Sequence, residues 1–208
     1  APYPDDVVDH FVAAAARDGI DIFLIFDGLN DVRNVRRAAE AALKAGKKVE
    51  ANLQFTSSPV HTVESFIKTA RDYLDIGATA LHLEDMGGMK TPREAVETVK
   101  ALKATFDVPV HYHAHCVGGM TDITYWEVIR ADVVDVDTAA FALGTGHPCA
   151  ESLIAALAGT ERDTGLDYTK LAPITAHLQK VRQAHHEYES KLRGVDINVV
   201  RHQIPGGM

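Results

Sequence analysis

Apolar residues recur along this chain with two alternating periods, and the alternation predicts its elements. The segment at 20–26 is almost wholly apolar, which is typical of a parallel strand buried on both faces. In the segment that follows, apolar residues such as Val32, Val35 and Ala39 return every three or four positions, the spacing of one helix face. This succession predicts strands joined by helical crossovers, which is the pattern of a parallel α/β sheet.

The pattern repeats in five strand–helix units. We expect strands at 20–26, 48–56, 79–85, 108–115 and 132–139, a leading helix at 8–15, and further helices at 32–43, 63–74, 95–106, 121–131 and 148–157. Neither a GxGxxG nor a P-loop sequence follows any strand, so a dinucleotide or P-loop phosphate site has no support. A (β/α)8 TIM barrel is the better expectation, and we assign residues 1–160 to a partial barrel. Five strands cannot close a barrel, so either the sheet is open or its first strands are absent from this chain.

The C-terminal part has a different pattern. From Leu171 to Leu192 apolar residues follow a 3-4 spacing, which predicts one long helix with a narrow packing seam. We assign residues 161–208 to a C-terminal helical extension. Docking of this helix on the same domain is favoured over a role as the interface for a partner subunit.

Composition narrows the class of protein. The 208 residues are 46% hydrophobic and 24% charged, an ordinary balance for one globular domain with a sizeable core. With 21 basic against 29 acidic residues and no Lys/Arg run, we expect neither nucleic acid nor an anionic membrane as a partner. No apolar run reaches the ~18 residues of a membrane span. The two cysteines, Cys116 and Cys149, favour a reducing cytoplasm over a disulfide scaffold.

Candidate chemistry lies where the strands end, because reacting groups of parallel α/β folds gather at the carboxyl ends of strands. His111, His113 and His115 alternate along the fourth predicted strand, so their side chains share one face. The last two histidines can bind one metal ion, and Glu84 from the neighbouring strand can complete the ligand set. A buried, hydrogen-bonded histidine cluster is the alternative.

Other strand-end residues are weaker candidates. Gln54 shares one face of the second predicted strand with Asn52. Asp27 and Asp85 follow or close strands, where each carboxylate can either contact a substrate or hold loop backbone.

Eight segments in this order resemble the carboxyltransferase domain of biotin-dependent enzymes, a group that includes the oxaloacetate decarboxylase alpha subunit, the transcarboxylase carboxyltransferase subunit and pyruvate carboxylase. The segments are PDDVV (4–8), FDGLNDVRN (26–34), TSSPVHTVE (56–64), EDMGGMKTP (84–92), HYHAH (111–115), GTGHPCAESL (144–153), GTERDTGLD (159–167) and HQIPGGM (202–208). The ordered set is far more specific than any one motif.

The resemblance implies a TIM barrel with a divalent ion, zinc, manganese or cobalt, at its mouth. It implies transfer of a carboxyl group between carboxybiotin and pyruvate, or its removal from oxaloacetate, through a metal-stabilised enolate. It also places His113 and His115 at the family's metal-binding positions. Carboxybiotin is expected on a separate carrier domain, within a homo-oligomer or a multi-subunit complex.

Three positions depart from the family pattern. The metal-bridging lysine is Glu84 here, whose carboxylate could replace the lysine carbamate as an anionic oxygen ligand. Leu24 stands where the family has a substrate-binding arginine, and Gln54 stands where it has a cysteine. We expect Gln54 to line the substrate pocket and to act with Glu84 in catalysis. The family's first three strands, with a further metal-binding aspartate, would precede Ala1, so we expect a portion of a longer protein.

These departures keep two other hypotheses open. One is a related metal-dependent lyase, similar to HMG-CoA lyase or a 4-hydroxy-2-oxoacid aldolase, which also uses an HxH pair to stabilise an enolate. The other is a non-catalytic pseudo-enzyme subunit. Assays of the corresponding cleavage reactions against oxaloacetate decarboxylation separate these hypotheses.

Overall fold

Five parallel strands form one sheet in the computed structural model, which describes residues 3–128, 131–189, 191 and 194–202. In spatial and chain order they are β1 (Ile22–Ile25), β2 (Lys48–Gln54), β3 (Ala80–Asp85), β4 (Val110–Ala114) and β5 (Val133–Val134). Every neighbouring pair is parallel. The predicted α/β class with helical crossovers is confirmed.

Seven α-helices accompany the sheet within the described residues. They are α1 (Asp5–Arg17), α2 (Val32–Lys44), α3 (Val63–Asp75), α4 (Pro92–Thr105), α5 (Thr121–Glu127), α6 (Ala150–Leu157) and α7 (Ala172–Ala184). Short 3-10 turns follow at Tyr168–Leu171, His186–Tyr188 and Ile197–Val200. Helix starts follow from the sequence: Thr91 and Glu94 form a capping box at α4, with Pro92 in the first turn. Within the described ranges, no helix has the length and apolar character needed to cross a bilayer.

The two faces of the sheet differ in chemistry. One face packs against the helices through fully buried side chains such as Leu53, Leu83 and Tyr112, which form the main core. The opposite face carries polar side chains from the same strands, among them Asn52 and His82, both almost completely buried. Since side chains alternate along a strand, one register sorts apolar residues to the core and polar residues to the other face.

The register aligns these polar side chains in two rows across the strands. Gln54 pairs with Glu84, and Glu84 pairs with His113, which makes an upper row at the carboxyl ends. Two residues lower, about 6.6 Å along the strands, Asn52 pairs with His82, which pairs with His111. The shared faces predicted for the histidines and for their neighbours on β2 and β3 are confirmed.

The predicted long tail helix is wrong in length. Helix α7 ends at Ala184, and a 3-10 turn follows at His186–Tyr188, while Leu192 lies outside the described residues. The backbone N–H and the ring Nδ1 of His185 both bond to the carbonyl of Val181, at 3.2 and 2.8 Å. Such local side-chain bonds compete with helix propagation, which apolar spacing alone cannot reveal. The fifth strand is also shorter than predicted, at Val133–Val134.

The C-terminal residues dock on the same domain, as favoured from the sequence. Arg182 of α7 donates to the carbonyl oxygen of Ala140 at 2.7 Å. Val199 is buried against Met89 and Val117, in the loops that follow β3 and β4. These contacts place the tail over the carboxyl ends of the strands. The division of the chain at residue 160 stays a prediction.

A buried lysine gives the fold an expected pH dependence. Lys90 is 3% exposed, its Nζ donates to Thr98 Oγ1 at 3.2 Å, and it lies 3.7 Å from the centroid of the Phe55 ring. Burial lowers the pKa of Lys90 to about 8. Between pH 8 and about 10.4 the unfolded chain therefore binds more protons at Lys90 than the folded chain does. As the pH rises through this window, Lys90 should increase the free energy of unfolding by about 3 kcal/mol.

Denaturant unfolding of the wild type and of Lys90→Met between pH 7 and 10.5 measures this effect. The variant should lose the rise, and its advantage over the wild type should be largest at pH 7. Other titrating groups are common to both proteins and cancel in the difference. Parallel stability curves for the two proteins would contradict the prediction.

Candidate metal centre

Three imidazole nitrogens converge at the carboxyl end of the sheet. His113 and His115 lie at the end of β4, and His147 lies in the loop before α6. His113 Nε2 is 3.4 Å from His115 Nε2 and 3.1 Å from His147 Nε2. With Zn–N bonds of 2.0–2.1 Å, a tetrahedral zinc site separates its nitrogen ligands by about 3.3 Å. The donor set therefore fits one divalent ion.

Each ring is held at its other nitrogen by an oxygen. The contacts are His113 Nδ1 to Asp135 Oδ2 at 2.6 Å, His115 Nδ1 to the Thr145 carbonyl at 2.7 Å, and His147 Nδ1 to Asp137 Oδ2 at 3.2 Å. An oxygen acceptor assigns the proton to Nδ1 and leaves the Nε2 lone pair free. The three free Nε2 atoms belong to one group of potential ligands within 4.8 Å of one another.

The local electrostatics favour metal-binding protonation states. Burial and the neighbouring His113 and His115 lower the pKa of His147, so its ring is held neutral, which is the form that binds a metal. Burial alone raises the pKa of Asp135, but the nearby rings of His111 and His113 outweigh it and hold that pKa well below its usual range. Asp135 is therefore an anion that orients His113.

The structure brings His113 and His115 together but does not bring Glu84 into their group. Glu84 faces the same side, and its carboxylate accepts a hydrogen bond from the Asn52 amide. Among the residues that the structure describes, Glu84 belongs to no group of three potential ligands within 4.8 Å of one another, and the third member of the group with His113 and His115 is His147. A cation shared by Glu84 and the two histidines stays a prediction.

Gln54 lies beside Glu84 in the upper row. Its Nε2 donates to Asn52 Oδ1 at 3.1 Å. The Asn30 side chain donates to the Gln54 carbonyl and accepts from the Gln54 N–H. The Gln54 Oε1 atom is buried without a hydrogen-bond partner among the described residues. This oxygen is available to a ligand. Contact between Gln54 and a substrate stays a prediction.

Asp27 and Asp85 both hold loop backbone, which is one of the two roles that the sequence left open. Asp27 Oδ2 accepts from the backbone N–H of Leu29 and of Asp31, each at 3.0 Å. Asp85 is buried, and its Oδ2 accepts from the Lys90 N–H at 2.6 Å. Substrate contact by either aspartate stays a prediction.

Sequence reasoning missed His147 and Asp135. His147 lies inside the GTGHP segment that contributes to the family resemblance, but no spacing rule connects it to His115, 32 positions earlier. The fold makes the connection, since Thr145 O holds His115 and a parallel bridge joins Asp137 to Cys149. Asp135 could be suspected only from its place within the fifth predicted strand.

We expect Asp135→Asn to weaken zinc binding at the three-histidine centre by about 10–100-fold, the usual effect of losing a carboxylate that orients a metal-binding histidine. An amide lacks the negative charge and can present its NH2 to His113 Nδ1. Chelator-competition titration measures the affinity. Asp18→Asn, at an exposed aspartate that ends α1, is the matched control. Equal affinities in both variants would contradict an orienting role.

The sheet and the histidine cluster define an α/β protein with a candidate metal centre at the carboxyl ends of its strands. The chain belongs to the HMGL-like family, whose model matches residues 10–178. This membership confirms the family resemblance expected from the ordered segments.

Named relatives are carboxylases and carboxyltransferases. The chain is 43% identical over 209 residues to a pyruvate carboxylase subunit of Methanocaldococcus jannaschii, covering 99% of this chain and 37% of that protein. It is 40% identical over 210 residues to the methylmalonyl-CoA carboxyltransferase 5S subunit of Propionibacterium freudenreichii, covering 99% and 41%. The chain thus spans about two-fifths of the length of these relatives.

A solved structure shows the same fold. The carboxyl transferase domain from Rhizobium etli pyruvate carboxylase, determined with pyruvate and biocytin, superposes with a TM-score of 0.94 at 34% identity. The match covers 99% of this chain and 36% of that one. Since that domain is a TIM barrel, the predicted barrel architecture is confirmed for the part that this chain spans.

Proposed function

We propose that this chain forms the keto-acid site of a metal-dependent carboxyltransferase. The reaction would move a carboxyl group between carboxybiotin and a 2-keto acid such as pyruvate, or release it from oxaloacetate. The observation that carries the proposal is the position of His113 Nε2 at the carboxyl end of the sheet, 3.4 Å from His115 Nε2 and 3.1 Å from His147 Nε2. Membership in the HMGL-like family and the names of the relatives supply the class of reaction.

His113, His115 and His147 would hold the ion, for which zinc, manganese and cobalt are the candidates. Three nitrogen ligands leave at least one position for a substrate, as in catalytic zinc sites. When bound, such an ion supplies a Lewis acid that polarises a keto oxygen.

The remaining polar residues position and surround the reacting molecule. Asp135 and Asp137 would accept the Nδ1 protons of His113 and His147 and so keep the Nε2 atoms of both rings aimed inward. Gln54 and Glu84 lie in the same row as His113, so we assign them to the substrate side of the centre. Glu84 remains the candidate for an additional carboxylate ligand once substrate enters.

Carboxybiotin would arrive on a carrier domain from another part of a larger assembly, because the relatives are subunits or longer chains that this chain covers only in part. We assign the protein to a homo-oligomer or a multi-subunit complex. We assign the protein to the cytoplasm, and the free thiols of Cys116 and Cys149 support this location because the cytoplasm is reducing.

Paired activity assays test the proposal. Protein loaded with zinc, manganese or cobalt should decarboxylate oxaloacetate, and should cleave neither HMG-CoA nor a 4-hydroxy-2-oxoacid. Chelation should remove the activity and the metal should restore it. Calorimetry should detect pyruvate binding only in the loaded form. Lyase turnover, or keto-acid activity and binding that persist in chelator, would overturn the assignment.

A further inference from the structure

A second group of possible ligands lies one row below the three histidines. Glu50 on β2, His82 on β3 and His111 on β4 each place a ligand atom within 4.8 Å of the others. His82 and His111 are register partners, and their rings stack with centroids 4.2 Å apart. Because His111 precedes His113 by two residues, this group lies about 6.6 Å deeper along the strands.

His82 is the feature of this row that requires an explanation. Its side chain is 1% exposed, and neither ring nitrogen has a hydrogen-bond partner among the described residues. The oxygen of Asp135 nearest to His82 Nε2 is 3.9 Å away, beyond hydrogen-bond range. Burying a polar atom without a partner forfeits its hydrogen bonds to water, so native proteins rarely retain one without a ligand, water or ion.

Negative charge is concentrated around the same point. His111 Nδ1 lies 3.1 Å from Glu50 Oε2, and His111 Nε2 lies 3.0 Å from Asp135 Oδ1. The row therefore attracts positive charge, which a proton on His111 or a metal cation can supply.

The geometry resembles that of a bound cation. His111 Nδ1 and Glu50 Oε2 form a hydrogen bond of 3.1 Å, which is close to the separation of about 3.3 Å between neighbouring ligands in a tetrahedral zinc site, so an ion can take the place of the shared proton. Asp135 would support His111 through Nε2, as carboxylates support metal-bound histidines. Two imidazoles with one carboxylate form a donor set that suits zinc.

We propose that Glu50, His82 and His111 form a second divalent-cation site in the interior of the barrel, beside the three-histidine centre and one row deeper. The site would take Zn²⁺ in preference to Mg²⁺ or Ca²⁺, because two of its three donors are imidazole nitrogens. Asp135 lies between the two sites, since its two oxygens contact His111 and His113 separately. This second site does not depend on the reaction assigned above.

Zinc stoichiometry of the purified protein tests the second site. After dialysis against Zn²⁺ at a fixed free concentration, elemental analysis should give two ions per wild-type chain. His82→Leu and Glu50→Gln should each retain one ion, and His113→Ala should retain the other. His186→Gln, at an exposed histidine of a 3-10 turn, is the matched control and should bind two ions.

Thermal unfolding supplies a readout that is independent of activity. In the metal-free state His82→Leu should be at least as stable as the wild type, because it removes an unpaired buried imidazole. The increase in Tm on adding Zn²⁺ should be smaller in the variant, because one bound ion no longer favours the folded state. Should His82→Leu fail to fold, Glu50→Gln decides alone, since the Glu50 side chain is 18% exposed.

Two results would overturn the proposal. One is a wild-type chain that binds a single zinc ion, lost in His113→Ala. The other is an unchanged ion count in both His82→Leu and Glu50→Gln. Either result would mean that the lower row is a buried polar cluster without a metal.

Discussion

Replacing His113 with alanine is expected to weaken zinc binding at the three-histidine centre by more than ~100-fold. The loss of a ligand should cost more than the 10–100-fold typical of a lost supporting residue. His113 has the most contacts in the cluster: its Nε2 faces both other Nε2 atoms and its Nδ1 binds Asp135. Metal-dependent oxaloacetate decarboxylation should fall with the affinity. Chelator competition and the decarboxylation assay measure the two effects.

His147→Ala is the companion variant, since only the tertiary structure indicates that this residue is a ligand. It should produce a loss similar to that of His113→Ala, whereas a centre built on His113 and His115 alone would leave zinc affinity nearly unchanged. His186→Ala controls for the loss of an exposed histidine. Wild-type affinity in both cluster variants would exclude the three-histidine centre.

Replacing Gly88 with alanine should both destabilise the fold and disturb the metal centre. Gly88 has φ +62°, and a Cβ there would overlap the carbonyl oxygen of His115 and lie 2.9 Å from Thr121 Oγ1. Those two atoms are themselves hydrogen-bonded at 2.5 Å, so the loop cannot yield without moving the backbone of His115. Left-handed strain and overpacking together should cost about 2–5 kcal/mol in the free energy of unfolding.

Gly46→Ala separates strain from overlap. Gly46 has φ +74° with nothing within 4 Å of an added Cβ, so this variant should lose only about 1–2 kcal/mol. Urea unfolding gives both stabilities, and zinc titration should show weaker binding only in Gly88→Ala. If the two variants lose the same stability and bind zinc equally, the close approach of Gly88 to His115 has no role in the site.

The alternating pattern allowed the common face of the upper row to be predicted. Each strand places every second side chain on one side, so His113, Glu84 and Gln54 had to share a face once the strands were parallel and in register. The distance from Glu84 to the histidines did not follow from this rule. The Asn52 amide bonds to the Glu84 carboxylate, and such a competing partner lies on a different strand, where spacing within one strand carries no information.

The amino-acid sequence by itself determined the parallel α/β class, the order of strands and helices, and the paired imidazoles at the end of β4. These features follow from local rules: the pleat of a strand, the pitch of a helix and the placement of caps. Only the tertiary structure brought His147 beside His113, placed Asp135 between the two rows and left His82 buried without a partner among the described residues. Each of these depends on contacts between elements distant in the chain, which are fixed when the packing of the whole sheet selects one register and one path for each loop.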